Sequence, residues 1–258
     1  MATERLFVFR KHALLVRDEG EPLPSATERA MLAADRTLEV GALDGAACTA
    51  IAVAPDAEAP RGFGWVDLRP LFVRVDGPTW AMAGRALQLL EWDRTSAFCG
   101  ACGARTERVA AELARRCPVC KLSAYPRLAP AVIVLVERGD EALLAQPARF
   151  PAFYSTLAGF VEPGETLEET IAREILEEVG VRVRDPRYFG SQPWPFPHSL
   201  MIGFHATWAE GEPKPDPQEL GDARWFRFDA LPTIPPKISI ARALIDDWAA
   251  RRTAAARE

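Results

Sequence analysis

Between Gly159 and Val181 the chain spells out a short helix with both of its ends: GFVEPGETLEETIAREILEEVGV. Pro163-Gly164 makes a turn, and Thr166-Leu167-Glu168-Glu169 has the form of a capping box, which starts a helix. Gly180 stands where a left-handed helix cap belongs. At roughly 100° per residue, Ile171, Ala172, Ile175, Leu176 and Val179 share one arc and are expected to pack on a sheet. Glu174, Glu177 and Glu178 share the neighbouring arc at the C-terminal end. Glu168 and Glu169, in the first turn, favour the helix dipole instead.

Three carboxylates on one arc near a helix C-terminus repel one another, and the negative end of the dipole adds to the cost. Such a face is either fully solvated or expects something positive. Hard oxygen donors without a neighbouring His or Cys suit Mg²⁺ or Mn²⁺, ions that also hold phosphate oxygens. No nucleophilic Ser or Cys with a His partner stands in the stretch, so water is the expected nucleophile.

A second pattern lies upstream. Cys99-Gly100-Ala101-Cys102 and Cys117-Pro118-Val119-Cys120 are two CxxC knuckles separated by 14 residues. Each brings two thiolates to one ion from a tight turn, and two such knuckles close a tetrahedral Cys₄ site that suits Zn²⁺. A closed four-thiolate shell leaves no open position, which makes the expected role structural. The fifth cysteine, Cys48, lies in the apolar run AACTAIAV and is expected in a core. The odd count argues against a disulfide scaffold.

The chain of 258 residues carries a net charge of −5, and its pI is about 5.4. That balance gives no general affinity for nucleic acid. Charges interrupt the apolar start of the chain, so it lacks the form of a signal peptide, and no apolar run reaches membrane-spanning length. A cytoplasmic protein is expected.

Three regions are expected: residues 1–95, 96–125 and 126–258. In the first, Leu6–Phe9, Ala13–Val16 and Gly64–Arg69 read as strands. Leu38–Val40 and Ala46–Val53 flank Asp44-Gly45, a hairpin signal. Thr79–Trp92 reads as a helix. In the second, Arg105, Arg108, Arg115 and Arg116 are expected on a solvated face. The third opens with Ala131–Val136, an apolar run suited to a strand buried on both faces. Glu141–Gln146, Phe153–Ala158, Arg187–Gly190, Leu200–Trp208 and Ala223–Phe228 read as further strands, and Ser239–Arg252 as a helix. His205, in an apolar strand, reads as a satisfied core histidine, and His12 as a surface residue.

Gly159, Glu165, Arg173, Glu174, Ile175, Glu177, Glu178, Gly180 and Val181 match every fixed position of the Nudix box, GX5EX7REUXEEXGU with U aliphatic. The chain thus resembles the Nudix hydrolases. The resemblance implies an α/β/α sandwich with a mixed sheet, preceded here by a Cys₄ zinc ribbon and a smaller N-terminal α+β domain. It implies a loop–helix–loop that holds divalent metal and hydrolyses a nucleoside diphosphate linked to another moiety. By motif position Glu174, Glu177 and Glu178 are the catalytic acids, with Glu178 the candidate base, and Arg173 and Glu165 brace the loop.

Downstream lies Ser191-Gln192-Pro193-Trp194-Pro195-Phe196-Pro197-His198-Ser199. Its alternating prolines predict a stiff extended segment that presents Trp194 and Phe196 for stacking on a base or nicotinamide ring. SQPWPFP after a Nudix box, with a Cys₄ ribbon ahead of it, resembles the NADH pyrophosphatase subfamily. What this implies is cleavage of NAD(H) to NMN(H) and AMP, with removal of NAD caps from RNA 5′ ends as a further activity, in a homodimer. By motif position, Glu174, Glu178, Glu219 and the Ala158 carbonyl hold Mg²⁺ or Mn²⁺. Gln192, Pro193, Trp194, Pro195, Phe196, Pro197, His198 and Ser199 line the nucleotide site with Tyr125 and Ala241. Arg69 and Glu112 match substrate-contacting positions, and Phe160 is a candidate stacking partner. His198 departs from the subfamily pattern, where many relatives carry Gln.

Two other readings compete. One is a Nudix enzyme for ADP-ribose or dinucleoside polyphosphates, against which the SQPWPFP loop argues. The other is a nucleic-acid-binding regulator with an inactive Nudix domain, against which the intact acid set and acidic pI argue.

Overall fold

The apolar run from Ala131 to Val136 sits at the centre of a mixed sheet. The computed structural model describes residues 4–149 and 152–257. It divides into two units: the chain up to Arg127 together with Pro195–His198, and Leu128–Trp194 together with the chain from Ser199 onward.

The first unit begins with strands β1 (Arg5–Arg10), β2 (Ala13–Arg17), β3 (Ala34–Leu43), β4 (Ala46–Val53) and β5 (Phe63–Asp67), followed by helices α1 (Leu68–Leu71) and α2 (Gly77–Thr95). The strands form one sheet in the order β3-β4-β1-β2-β5. Only the β1–β4 pair in it is parallel. Asp44 and Gly45 both have positive φ, 50° and 77°, the primed turn that suits a two-residue hairpin. Cys48 is buried, as expected. The expected strand over Gly64–Arg69 stops at Asp67, because Leu68 and Leu71 turn into the core on the short helix α1. Three two-residue strands, β6 (Glu107–Arg108), β7 (Arg115–Arg116) and β8 (Ser123–Ala124), form the ribbon sheet.

One expectation for the ribbon is overturned. Arg115 is buried, and with Arg108 it grips Asp93 at the end of α2, at 2.5 and 2.7 Å. Arg36 adds a third contact at 3.1 Å. Burial pushes the Asp93 carboxyl up, but Arg108 and Arg115 outweigh it and hold the group below its ordinary value. Both arginines therefore tie the ribbon to α2, Arg115 from a buried position, while Arg108 stays exposed with Arg105 and Arg116, as expected.

The second unit contains β9 (Ala129–Arg138), β10 (Glu141–Pro147), β11 (Leu157–Phe160), α3 (Leu167–Val179), β12 (Arg182–Trp194), β13 (Ser199–Glu210), β14 (Leu220–Arg227) and α4 (Ile240–Ala255). The sheet order is β12-β13-β9-β10-β14, with β11 added against β9. β9 and β13 run parallel and the other pairs antiparallel. Side chains alternate across a strand, so β9 feeds two cores. Val132, Val134 and Val136 meet Ile171, Ile175 and Val179 of α3. Ile133 and Leu135 meet Ile240, Leu244, Ile245 and Trp248 of α4. A sheet covered on both faces is the sandwich that the family resemblance implied, and it explains why β9 is apolar without alternation.

Several local expectations shift. Ala172 and Leu176 are exposed, Leu176 at 40%. The i, i+4, i+8 stripe of Ile171, Ile175 and Val179 meets the sheet, and the arc beside it does not. The third strand begins at Leu157, since Ser155 makes only an isolated bridge to Ala145. Gln192 to Ser199 is not one extended segment: β12 runs to Trp194, which pairs with Ser199, and Pro195–His198 forms the turn between them. Among the described residues no helix is long and apolar enough to cross a membrane.

Candidate active site

The local signals of α3 act as the sequence reads. The Thr166 hydroxyl accepts from the Glu169 N–H at 3.2 Å, and the Glu169 carboxylate accepts from the Thr166 N–H at 2.8 Å. Gly180 closes the helix at φ 68°. Beyond it, the Lys214 N–H donates to the Val179 carbonyl and the Asp216 N–H to the Glu178 carbonyl, both at 2.8 Å. These bonds satisfy carbonyls that a helix end leaves free. They also tie the loop that carries Glu219 to the end of α3.

Glu178 is the unusual member of the acid set. It is 8% exposed, and its Oε2 is buried without a hydrogen-bond partner. Burial, then the charges of Glu174 and Glu219, push its carboxyl up to about 8. Glu174 is raised as well, by burial first, with Glu177 and Glu219 opposing its ionisation. The Glu174 carboxyl lies against the backbone of β11, where a Cβ on Gly159 would stand 1.8 Å from its carboxyl carbon. Only glycine leaves that space, which accounts for the first position of the box.

Arg173 reaches around this group. It donates to Glu165 at 2.5 and 2.8 Å, to Glu174 at 3.0 Å, to Glu177 at 3.1 Å and to the Phe160 carbonyl at 3.0 Å. The hydrogen bonds from Arg173 hold the Glu165 carboxyl at about 2. Glu177 is exposed and turned to Arg173. Glu219 is exposed in the turn ahead of β14, and Ala158 lies in β11 paired with Ile133.

The residues fit a divalent ion. A buried carboxylate oxygen without a donor, beside two further carboxylates and no His or Cys, is a charge imbalance that a hard cation relieves. The four thiols fit a different ion. Among the described residues they are the one group of three or more His, Cys, Asp or Glu ligand atoms lying within 4.8 Å of one another. Cys99 and Cys120 are 3.5 Å apart, Cys102 and Cys117 3.5 Å, and Cys102 and Cys120 3.7 Å. Four sulfurs around zinc at about 2.3 Å would stand about 3.8 Å apart, so the cage needs almost no adjustment.

Other candidate residues fall into separate groups. Gln192 spans the start of α4: its amide donates to the Ile238 carbonyl and its oxygen accepts from the Ile240 N–H, both at 2.8 Å. That brings Gln192 next to Ala241, whose own side chain is buried in the α4 core. Phe160 is 56% exposed, with its ring available. In the first unit, Tyr125 donates to Glu112 at 3.4 Å, and both are exposed. Pro195 is buried, Phe196 and His198 are half-buried, and Pro197 is exposed. The Arg69 guanidinium covers the Phe196 ring at 4.4 Å, and Trp80 lies 6.5 Å from it. Phe196 is therefore anchored, where the alternating prolines predict it offered outward. Pro193 is exposed, Trp194 is half-buried and Ser199 is buried.

Trp80 and Gly84 stand out only once Pro195 and Phe196 are in place beside them. The signal was a glycine inside an otherwise strong helical run, AMAGRALQLL.

Family models match three consecutive stretches of the chain: an NADH pyrophosphatase-like rudimentary Nudix domain over residues 3–92, an NADH pyrophosphatase zinc ribbon domain over 94–125, and a Nudix domain over 127–248. A protein of Stutzerimonas stutzeri named NAD-capped RNA hydrolase NudC is 52% identical over 74% of this chain and 70% of its own. Proteins of the same name from Pseudomonas fluorescens and Deinococcus radiodurans are each 44% identical. They cover 95% and 93% of this chain and 84% and 86% of their own. The crystal structure of a Nudix hydrolase from Nitrosomonas europaea superposes on 60% of this chain and 92% of its own, with a TM-score of 0.52 and 25% identity. With a complete box, a sandwich that presents it and a thiol cage ahead of it, the chain belongs to the Nudix hydrolase family, in its NADH pyrophosphatase branch.

Proposed function

We propose that this protein hydrolyses the pyrophosphate of NAD(H) to NMN(H) and AMP, and that it removes NAD caps from RNA 5′ ends. The observation that carries the reading is Glu178. Its carboxyl, with Oε2 buried and without a donor, feels the charge of Glu174 in a family whose box hydrolyses diphosphates. The substrate follows from the NADH pyrophosphatase domains and from the names of the relatives.

Glu174, Glu178, Glu219 and the Ala158 carbonyl are the residues that would hold Mg²⁺ or Mn²⁺. When bound, that ion supplies neutralisation of charge on the phosphate oxygens and a more acidic water. Glu178 accepts the proton of the attacking water. Gly159 and Arg173 keep Glu174 in place, Arg173 with Glu165 braces the loop, and Glu177 helps fix Arg173. The loop from Gln192 to Ser199, with Phe160, receives a base or nicotinamide ring, and Arg69, Glu112, Tyr125 and Ala241 complete the substrate contacts. The four thiols hold structural Zn²⁺, and the protein works in the cytoplasm. The working form is a homodimer, as in the subfamily that the sequence resembles.

Purified protein with Mg²⁺ or Mn²⁺ is offered NADH, NAD⁺, ADP-ribose, a dinucleoside polyphosphate and NAD-capped RNA. NMN(H) and AMP from NAD(H), and 5′-monophosphate RNA from the capped transcript, are expected. Cleavage of ADP-ribose or the polyphosphate with NAD(H) and capped RNA untouched would overturn the reading.

A further inference from the structure

Helix α2 carries Gly84 in its interior, within Trp80-Ala81-Met82-Ala83-Gly84-Arg85-Ala86-Leu87. Glycine is the poorest helix former after proline, and a buried helical position asks nothing of the backbone that alanine lacks. The space around it gives the reason. A Cβ on Gly84 would stand 2.9 Å from Cγ of Pro195, 3.4 Å from its Cβ and 3.7 Å from its Cδ. Real Cβ atoms do not come so close, and a proline ring cannot swing aside as a flexible side chain can.

One turn earlier, Trp80 forms a wall beside the next loop residue, with its ring 6.5 Å from that of Phe196 and tilted by 44°. Trp80 is itself fixed: its indole N–H donates to the Leu68 carbonyl at 2.8 Å, and Phe72 meets its ring edge-on at 5.9 Å. Arg69, on α1, covers the Phe196 ring at 4.4 Å, within the range of a cation–π contact. A gap, a wall and a cation thus receive two consecutive residues of the loop, all within the first unit.

We propose that Gly84 and Trp80 are positioning residues that, with Arg69, seat Pro195 and Phe196 and so set the affinity for the ring end of the dinucleotide. This rests on the proposed substrate role of the loop. A gap that serves packing alone would not act on substrate.

The test uses the full-length protein with Gly84→Ala and Gly84→Leu. Three quantities are read: kcat and KM for NADH, thermal midpoint, and amide exchange at Trp194, Phe196, His198 and Ser199. Gly84→Ala should raise KM about fivefold or more, with kcat within about twofold, as expected when binding shared by ground and transition states is lost. Exchange across the loop should rise, while the midpoint falls by only a few degrees, because the helix propensity of alanine offsets part of the clash with Pro195. Gly84→Leu should act more strongly in the same direction. Unchanged KM with unchanged loop exchange in Gly84→Ala overturns the seat, and so does a fall in kcat at constant KM. If the wild type leaves NADH uncleaved, the substrate reading fails, and the exchange data still decide whether Gly84 seats the loop.

Discussion

The carboxyl carbon of Glu174 occupies the place where Gly159 would carry a side chain, 1.8 Å from that ideal Cβ position. β11 and α3 are thereby locked into one arrangement, with an acid pressed on a strand backbone. Gly159→Ala cannot be absorbed by relaxing a flexible tip, because Glu174 is also held by Arg173 at 3.0 Å. The variant should stay folded and lose at least about a hundredfold in kcat/KM, the scale on which a displacement near 1 Å at a reacting centre is felt. Steady-state kinetics with NADH and a far-UV spectrum check it. Near-wild-type turnover would mean that Glu174 has no part in the reaction.

Glu178→Gln separates chemistry from packing. The amide keeps the shape of the side chain and removes both the base and the charge. Turnover should fall at least about a hundredfold, while the fold is kept, since Oε2 of Glu178 makes no hydrogen bond that the variant would break. Mg²⁺ or Mn²⁺ should raise the thermal midpoint of the wild type through preferential binding to the folded state. The variant should respond clearly less. Equal midpoint gains in both proteins would take Glu178 out of the ion site.

The helix at the centre of this site was legible because its signals are local: Thr166 and Glu169 lie three residues apart, and Gly180 ends the periodic run. The alternation that splits Val132 and Ile133 between two cores was hidden in an all-apolar strand, yet that absence of polar residues itself announced two covered faces. What escaped the sequence are pairings across distance. Arg115 reads as a surface residue until Asp93 is found beneath it. Gly159 reads as a motif letter until Glu174 fills its space. Phe196 reads as a free ring until Arg69 covers it. In each case the partner lies outside any local window, and a buried charge or a missing Cβ makes sense only once the partner is in place.

Removal of zinc should act on folding before chemistry. Cys99→Ser opens a cage whose four sulfurs already lie within 4.8 Å of one another, and Arg108 and Arg115 carry the loss to Asp93 and the end of α2. Purified wild type should release about one zinc per chain to a thiol-modifying reagent. Cys99→Ser should release less, with a lower thermal midpoint and more aggregation. The folded fraction should keep its kcat. A folded variant that loses turnover alone would make the ribbon part of the chemistry.

The buried pair of Glu137 and His205 gives the chain a dependence on acid. His205 is buried, as the sequence suggested, but only half satisfied: its Nδ1 lies 3.0 Å from Glu137, while its Nε2, though 3.1 Å from Asp247, makes no hydrogen bond. Arg251 donates to the same Glu137 oxygen at 2.8 Å and Arg187 at 3.3 Å. Burial alone would push the Glu137 carboxyl up, but His205 and Arg251 outweigh it and hold the group at about 2. A carboxyl whose folded value lies below its unfolded value of about 4.3 stabilises the fold fully above that pH. The contribution fades as pH falls from there through about 2. Of its four partners, Arg252 being the fourth at 3.6 Å, Arg187 and Arg251 are about half in solvent, so Glu137→Gln should cost about 2–3 kcal/mol at pH 7, less than a fully enclosed pair. Urea unfolding at pH 7, 4 and 3 should show the gap between wild type and variant narrowing as the pH drops. A gap that stays constant down to pH 3 would mean that Glu137 is held by packing and not by its charge.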